Sequence, residues 1–226
     1  MTKAVLVTAL LTLSIFAANL SNEEIKVVHK YKDKTQEVFI KRNIDPRCSR
    51  LRISHNVVFG GNVANEDIPE QCKKTFITTL GGVQPISIGR IKTVAELDVL
   101  LHIKNSQKSP DKYVLIDSRK SDWYEKLTIP SAVNIPYTNI KYDPDFKDDF
   151  KKLLSVLNIK QKDEELDFTN AKTAILFCNG NWCVQSLKAI AYLVNMGYPE
   201  EKLFWYRGGM QDWLILGFTT INGDLK

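Results

Sequence analysis

From Ile86 onward, short unbroken apolar runs alternate with stretches whose apolar residues recur at helical spacing. Tyr113–Asp117 (YVLID) and Thr173–Phe177 (TAILF) read as strands buried on both faces. Residues 132–136 (AVNIP) and Leu203–Tyr206 (LFWY) predict two more. Thr93-Val-Ala-Glu96 has the form of a capping box, and Val94, Leu97, Leu100 and Leu101 follow, which predicts a helix from about 93 to 103. Phe146, Phe150, Leu153, Leu154 and Leu157 make one apolar face of a second helix, with Lys147, Asp148, Asp149, Lys151 and Lys152 on its solvated side. Val184, Leu187, Ile190, Ala191, Leu193 and Val194 describe a third, ending at Gly197. A short helix over 210–216 stops at Gly217. The polar stretch 160–170 reads as a linker, and no internal repeat is visible. Strand and helix alternating in this way predict an α/β fold, a central parallel sheet flanked by helices.

Residues 21–85 have a different texture and predict a small strand-rich extension: Val38-Phe39-Ile40, then Asn56-Val57-Val58-Phe59 running into the turn Gly60-Gly61-Asn62. The boundary is placed at Gln84-Pro85, so the second domain covers 86–222. At the N-terminus, Lys3 precedes 15 uncharged residues that close on Ala17-Ala18. That run is shorter than the roughly 20 residues of a bilayer span. It predicts a secretory signal peptide over 1–20, a periplasmic mature chain and no stable span after cleavage. The net charge of +5 is spread without a basic stripe, which gives no footprint for nucleic acid.

Export changes how the four cysteines read. In an oxidising compartment Cys48, Cys72, Cys178 and Cys183 can pair in three ways. Sequence neighbourhood favours Cys48 with Cys72 in the extension and Cys178 with Cys183 across a tight turn. Cys178 stands apart chemically, because it follows a central strand and opens the polar loop Asn179-Gly180-Asn181-Trp182-Cys183-Val184 before a helix. Open α/β sheets bind ligands at such strand ends. Loop amides and the helix N-terminus favour thiolate over thiol and can cradle an anion. Gly180 lets the loop curl its amides inward. Cys183, five residues on, is placed to attack a persulfide or sulfenate on Cys178 and leave a disulfide. His29, His55 and His102 are isolated and read as surface or packing residues, and two cysteines without a nearby histidine make no zinc site. No metal or other cofactor is expected.

Several separated segments resemble the rhodanese-like sulfurtransferases. Val114-Leu-Ile-Asp-Ser-Arg119 with Trp123-Tyr124 is similar to that family's D-x-R segment. Ile129-Pro-Ser-Ala-Val-Asn-Ile-Pro136 is similar to its I-P-G-A-x-N-I-P segment, with Ser131 where glycine is usual. Arg207-Gly208-Gly209 with Trp213 and Gly217 matches the closing G-G-x-x-x-W-x-x-x-G pattern. The resemblance covers about 86–220 and implies a rhodanese-like three-layer fold with Cys178 as nucleophile and sulfur carrier. It also implies a persulfide intermediate, loop amides from Asn179 to Val184 as cradle, and Asp117, Arg119 and Arg207 as bracing charges. A small sulfane-sulfur donor and a thiol or protein acceptor are the implied partners. The loop departs from the common pattern: Cys183 stands near the place of a terminal Arg or Lys, and no cation lies within it. It is closer to an exported subgroup with a C-N-G-x-x-C segment followed by Y-R-G-G-M-Q-D-W. Two other classes are open: a thiol-disulfide redox protein using Cys178 and Cys183, and a non-catalytic rhodanese-like binding module.

Overall fold

The structure is a computed structural model and describes residues 24–41, 46, 69–72, 90–163 and 165–225. The expected signal peptide, the strand over 56–59, Cys48 with its expected link to Cys72, and the boundary at 84–85 lie outside the described residues.

The first described element is an antiparallel hairpin, β1 (Ile25–Tyr31) and β2 (Lys34–Ile40), paired from Ile25↔Ile40 to Tyr31↔Lys34. Strand alternation turns Ile25, Val27 and His29 inward. Then follow β3 (Lys92–Val94), α1 (Glu96–Lys108), β4 (Tyr113–Asp117), α2 (Ser121–Lys126), β5 (Val133–Asn134) and α3 (Lys147–Leu157). The chain continues through β6 (Lys160–Lys162), β7 (Glu165–Asp167), β8 (Thr173–Phe177), α4 (Gln185–Asn195), β9 (Leu203–Tyr206) and α5 (Gly209–Ile215).

Five strands form one parallel sheet in the order β3-β9-β8-β4-β5. Because alternate residues of a strand face opposite ways, β4 and β8 feed two cores. Val114, Ile116, Ala174 and Leu176 pack with Leu153 and Leu157 of α3 and Ala189, Ile190 and Leu193 of α4. Leu115, Ile175 and Phe177 pack on the other side with Val99 and Ile103 of α1 and Met210 and Trp213 of α5. The result is helix, sheet and helix in three layers, as the sequence predicts.

The hairpin joins the second core through Ile25, Val27 and Ile40. His29 is wholly buried at this junction. Ser131 N–H donates to its Nδ1 (3.2 Å), so Nε2 carries the hydrogen and donates to Gly223 O (3.3 Å). Part of the expected extension is thus bound into the α/β core.

Three local expectations need correction. Thr93 does not cap a helix: it pairs with Trp205 in β3, and Ala95 N–H donates instead to Asp98 Oδ2 (3.0 Å) at the start of α1. The extra sheet pairing outweighs the local capping signal, and the buried face of α1 shifts to Val99, Leu100 and Ile103. Phe146 lies ahead of α3 and is exposed, leaving Phe150, Leu153, Leu154 and Leu157 as its apolar face. The stretch 160–170 is not plain linker but holds the β6–β7 hairpin.

Candidate active site

Parallel pairing sets the C-terminal ends of β5, β4 and β8 in one row, with Asp117 opposite both Asn134 and Phe177. Cys178 is the next residue after β8. Its loop is held from below by the start of α5: Met210 N–H donates to Cys178 O (3.0 Å) and Gln211 N–H to Asn179 O (2.8 Å). This approach requires Gly209, whose φ is +55° and where a Cβ would lie 2.3 Å from Cys178 O. Trp182 Nε1–H donates to Gln211 Oε1 (2.8 Å), fastening the loop's outer side to the same helix.

The loop also closes on itself. Cys183 N–H donates to Gly180 O (3.0 Å), and Cys178 and Cys183 form a disulfide across a Cα–Cα distance of 6.1 Å. Cys178 is 1% exposed and Cys183 7%. Asn179, Asn181 and Trp182 are half-buried, Gly180 is buried, and Val184 stands exposed at the start of α4, where its carbonyl accepts from Lys188 N–H (3.0 Å). Gln185 Oε1 lies 3.6 Å from Cys178 Sγ, within reach of the thiol S–H once the disulfide is reduced. Gln185 and Gln211 are site residues that sequence reading missed, since nothing in their spacing marks the contacts they make.

On the opposite side of the strand ends lies a buried ion pair. Arg119 Nη2 donates to Asp117 Oδ2 (2.6 Å) and Nε to Oδ1 (2.9 Å), with exposures of 3% and 0%. Thr128 Oγ1–H (2.8 Å) and Arg119 N–H (3.0 Å) also donate to the carboxylate. The guanidinium then donates to Leu127 O and, through Nη1, to Asn179 Oδ1 (3.0 Å). Asn134 Nδ2 donates to the carbonyls of Asp117 and Arg119 (3.1 and 2.9 Å). Asp117 and Arg119 therefore brace the Cys178 loop rather than face its sulfur. Arg207 is half-buried and acts on Asp212: burial and the charge of Glu96 push that carboxyl above its ordinary value, and the Arg207 charge opposes them.

The φ of Ser131 is +72°, the conformation that glycine takes without penalty, yet a serine occupies it.

The sequence model of the rhodanese-like domain family matches residues 94–216, more than half of the chain. The protein belongs to the rhodanese-like domain family, and its central parallel sheet flanked by helices is the rhodanese fold. No curated protein matches the sequence. Among solved structures it is similar to the BH2092 protein from Bacillus halodurans, with 20% identity and a TM-score of 0.40 over 59% of this chain and 78% of that one. It is also similar to a rhodanese with anions from E. coli, with 21% identity and a TM-score of 0.32 over 48% of this chain and 96% of that one.

Proposed function

We propose that the protein is an exported, periplasmic sulfurtransferase or sulfur carrier that holds sulfane sulfur as a persulfide on Cys178, with Cys183 as resolving thiol. The observation that carries this reading is the pairing of Cys178 with Cys183 across the loop that follows β8, within the matched rhodanese-like domain, a loop that resembles the family's nucleophile loop. The disulfide is the resting form. A dithiol reductant supplies two electrons and two protons and frees both thiols.

Cys178 thiolate then attacks the outer sulfur of a donor R–S–S⁻ or thiosulfate; the donor's sulfur–sulfur bond breaks and its remainder leaves as thiolate or sulfite. The product is Cys178–S–S⁻. A thiolate acceptor takes the outer sulfur and returns the Cys178 thiolate. Without an acceptor, the outer sulfur takes up a proton from water, Cys183 thiolate attacks Cys178 Sγ, the persulfide's sulfur–sulfur bond breaks, hydrosulfide departs and the disulfide is restored. With no cation in the loop and Arg119 engaged by Asp117, Leu127 O and Asn179, an uncharged or protein-bound persulfide suits the site better than thiosulfate.

The test is intact-mass spectrometry of reduced protein offered thiosulfate, polysulfide or a small persulfide. A gain of one sulfur that cyanide removes and that Cys178→Ser abolishes supports the reading. Cys183→Ser is expected to lengthen the persulfide lifetime, and an unchanged lifetime removes Cys183 from the scheme. The disulfide itself favours a second reading, a thiol-disulfide redox protein, whose signature is two hydrogens lost and no sulfur gained. Export is tested by fractionating cells and reading the mature N-terminus, with cleavage expected near Ala17 to Leu20.

A further inference from the structure

Ser118 follows β4 directly, and its N–H donates to Phe177 O (3.0 Å). This bond belongs to the Asp117–Phe177 pair, the last of the ladder, and carrying the register one residue further brings Ser118 opposite Cys178. The two cores fix the faces. Val114 and Ile116 of β4, like Ala174 and Leu176 of β8, point to the α3 and α4 side, whereas Leu115, Ile175 and Phe177 point away. Carried one residue past the strand ends, the same alternation turns Ser118 and Cys178 toward α4, at the ends of strands about 4.8 Å apart. The contact of Cys178 Sγ with Gln185, the first residue of α4, agrees.

Ser118 is 0% exposed, and its hydroxyl has no hydrogen-bond partner among the described residues. Leaving a buried hydroxyl unpaired is unfavourable, so such a group calls for a partner in some state of the protein. In the disulfide form Ser118 Oγ makes no hydrogen bond to the Cys178 sulfur; a disulfide sulfur is a poor acceptor, and a thiolate or persulfide anion is a strong one. We propose that Ser118 Oγ–H donates to the sulfur of Cys178 in the dithiol and persulfide forms, supplying neutral anion stabilisation where the loop has no cation. It rests on Cys178 working as a thiolate and holds under either thiol chemistry above.

The charged groups around the sulfur do not duplicate this role. Lys188 is the one charged residue of α4 and lies over the Tyr137 ring (5.8 Å to its centre). Asp117 and Arg119 are paired on the far side of β4, and Asp212 of α5 is coupled to Arg207 and Glu96.

The test titrates Cys178 in a Cys183→Ser background by following iodoacetamide alkylation against pH. Ser118→Ala is expected to raise the midpoint by about one unit, a tenfold smaller thiolate fraction below it, and Ser118→Thr to keep it near that of the parent. An unchanged midpoint in Ser118→Ala overturns the proposal. Thermal melts with both native cysteines present provide a second measurement. Ser118→Ala should leave the disulfide form as stable or more stable and weaken only the reduced form. Equal loss in both forms marks the hydroxyl as structural and also overturns the proposal. A shifted midpoint in a protein that gains no sulfur sinks the carrier reading alone; a sulfur gain without the shift sinks this inference alone.

Discussion

Replacing Arg119 by Met keeps most of the side-chain volume and removes the charge, so the variant isolates the buried ion pair. Asp117 would then be left at 0% exposure with two donors, the Thr128 hydroxyl and the backbone N–H of residue 119, in place of a guanidinium at 2.6–3.2 Å. Breaking a buried pair from one side typically costs about 3–5 kcal/mol, because the remaining charge stays buried without compensation. Against a domain stability of roughly 5–15 kcal/mol, that loss is large. Urea unfolding of the disulfide form measures it. Adding Asp117→Asn to Arg119→Met removes the orphan charge, so the double variant should be more stable than Arg119→Met alone by about 1–2 kcal/mol, although two changes have been made. An Arg119→Met protein within about 1 kcal/mol of the parent, or a double variant as weak as the sum of the singles, would refute the argument that this pair braces the loop through buried charge.

Ser131→Gly should stabilise the fold by about 0.5–1 kcal/mol, since φ of +72° suits glycine, with denaturant midpoint as the readout. Gly209→Ala should cost about 3 kcal/mol and slow persulfide formation, because its Cβ meets the backbone of Cys178 and the strain has no flexible outlet. Gly180→Ala should cost less, its nearest atom being the Gln211 side-chain oxygen at 2.8 Å, and quench or shift the Trp182 fluorescence as that ring gives way. His102 is buried against Val114 O (2.9 Å) and burial pushes its pKa down to about 4. The unfolded chain therefore takes up the proton first, and stability present above about pH 6.5 should fall by about 3 kcal/mol as pH drops toward 4. His29, lowered in the same direction by burial, adds to that fall, and His102→Gln should flatten the slope of stability against pH.

The parts of the fold that were legible in the sequence are those where burial is two-sided. Tyr113–Asp117 and Thr173–Phe177 carry unbroken apolar runs because both faces of their strands are covered. Cys178 was legible because it directly follows such a run and opens a polar loop, whereas Asp117 and Arg119 stood out through their resemblance to the D-x-R segment of the rhodanese-like family. The β6–β7 hairpin left no such mark, since both its strands lie mostly in solvent and have no alternation to show. Thr93 misled because local capping chemistry and sheet pairing compete for the same residue, and the pairing with Trp205 wins. Gln185 and Gln211 act through contacts that exist only once β8, α4 and α5 have met. Their residue types carry no chemical signature along the chain. His29 belongs with them: read as an isolated surface or packing residue, it is buried and anchors the N-terminal hairpin to Ser131 and Gly223.

The central claim is that Cys178 carries sulfane sulfur. Its most direct test is the intact mass of the reduced chain after exposure to a small persulfide, read beside Cys178→Ser. The parent should gain one sulfur and the variant none, and the added sulfur should leave as thiocyanate on adding cyanide. Return to the disulfide with no sulfur-bearing species at any time, while Cys183→Ser also stays unmodified, would contradict that claim.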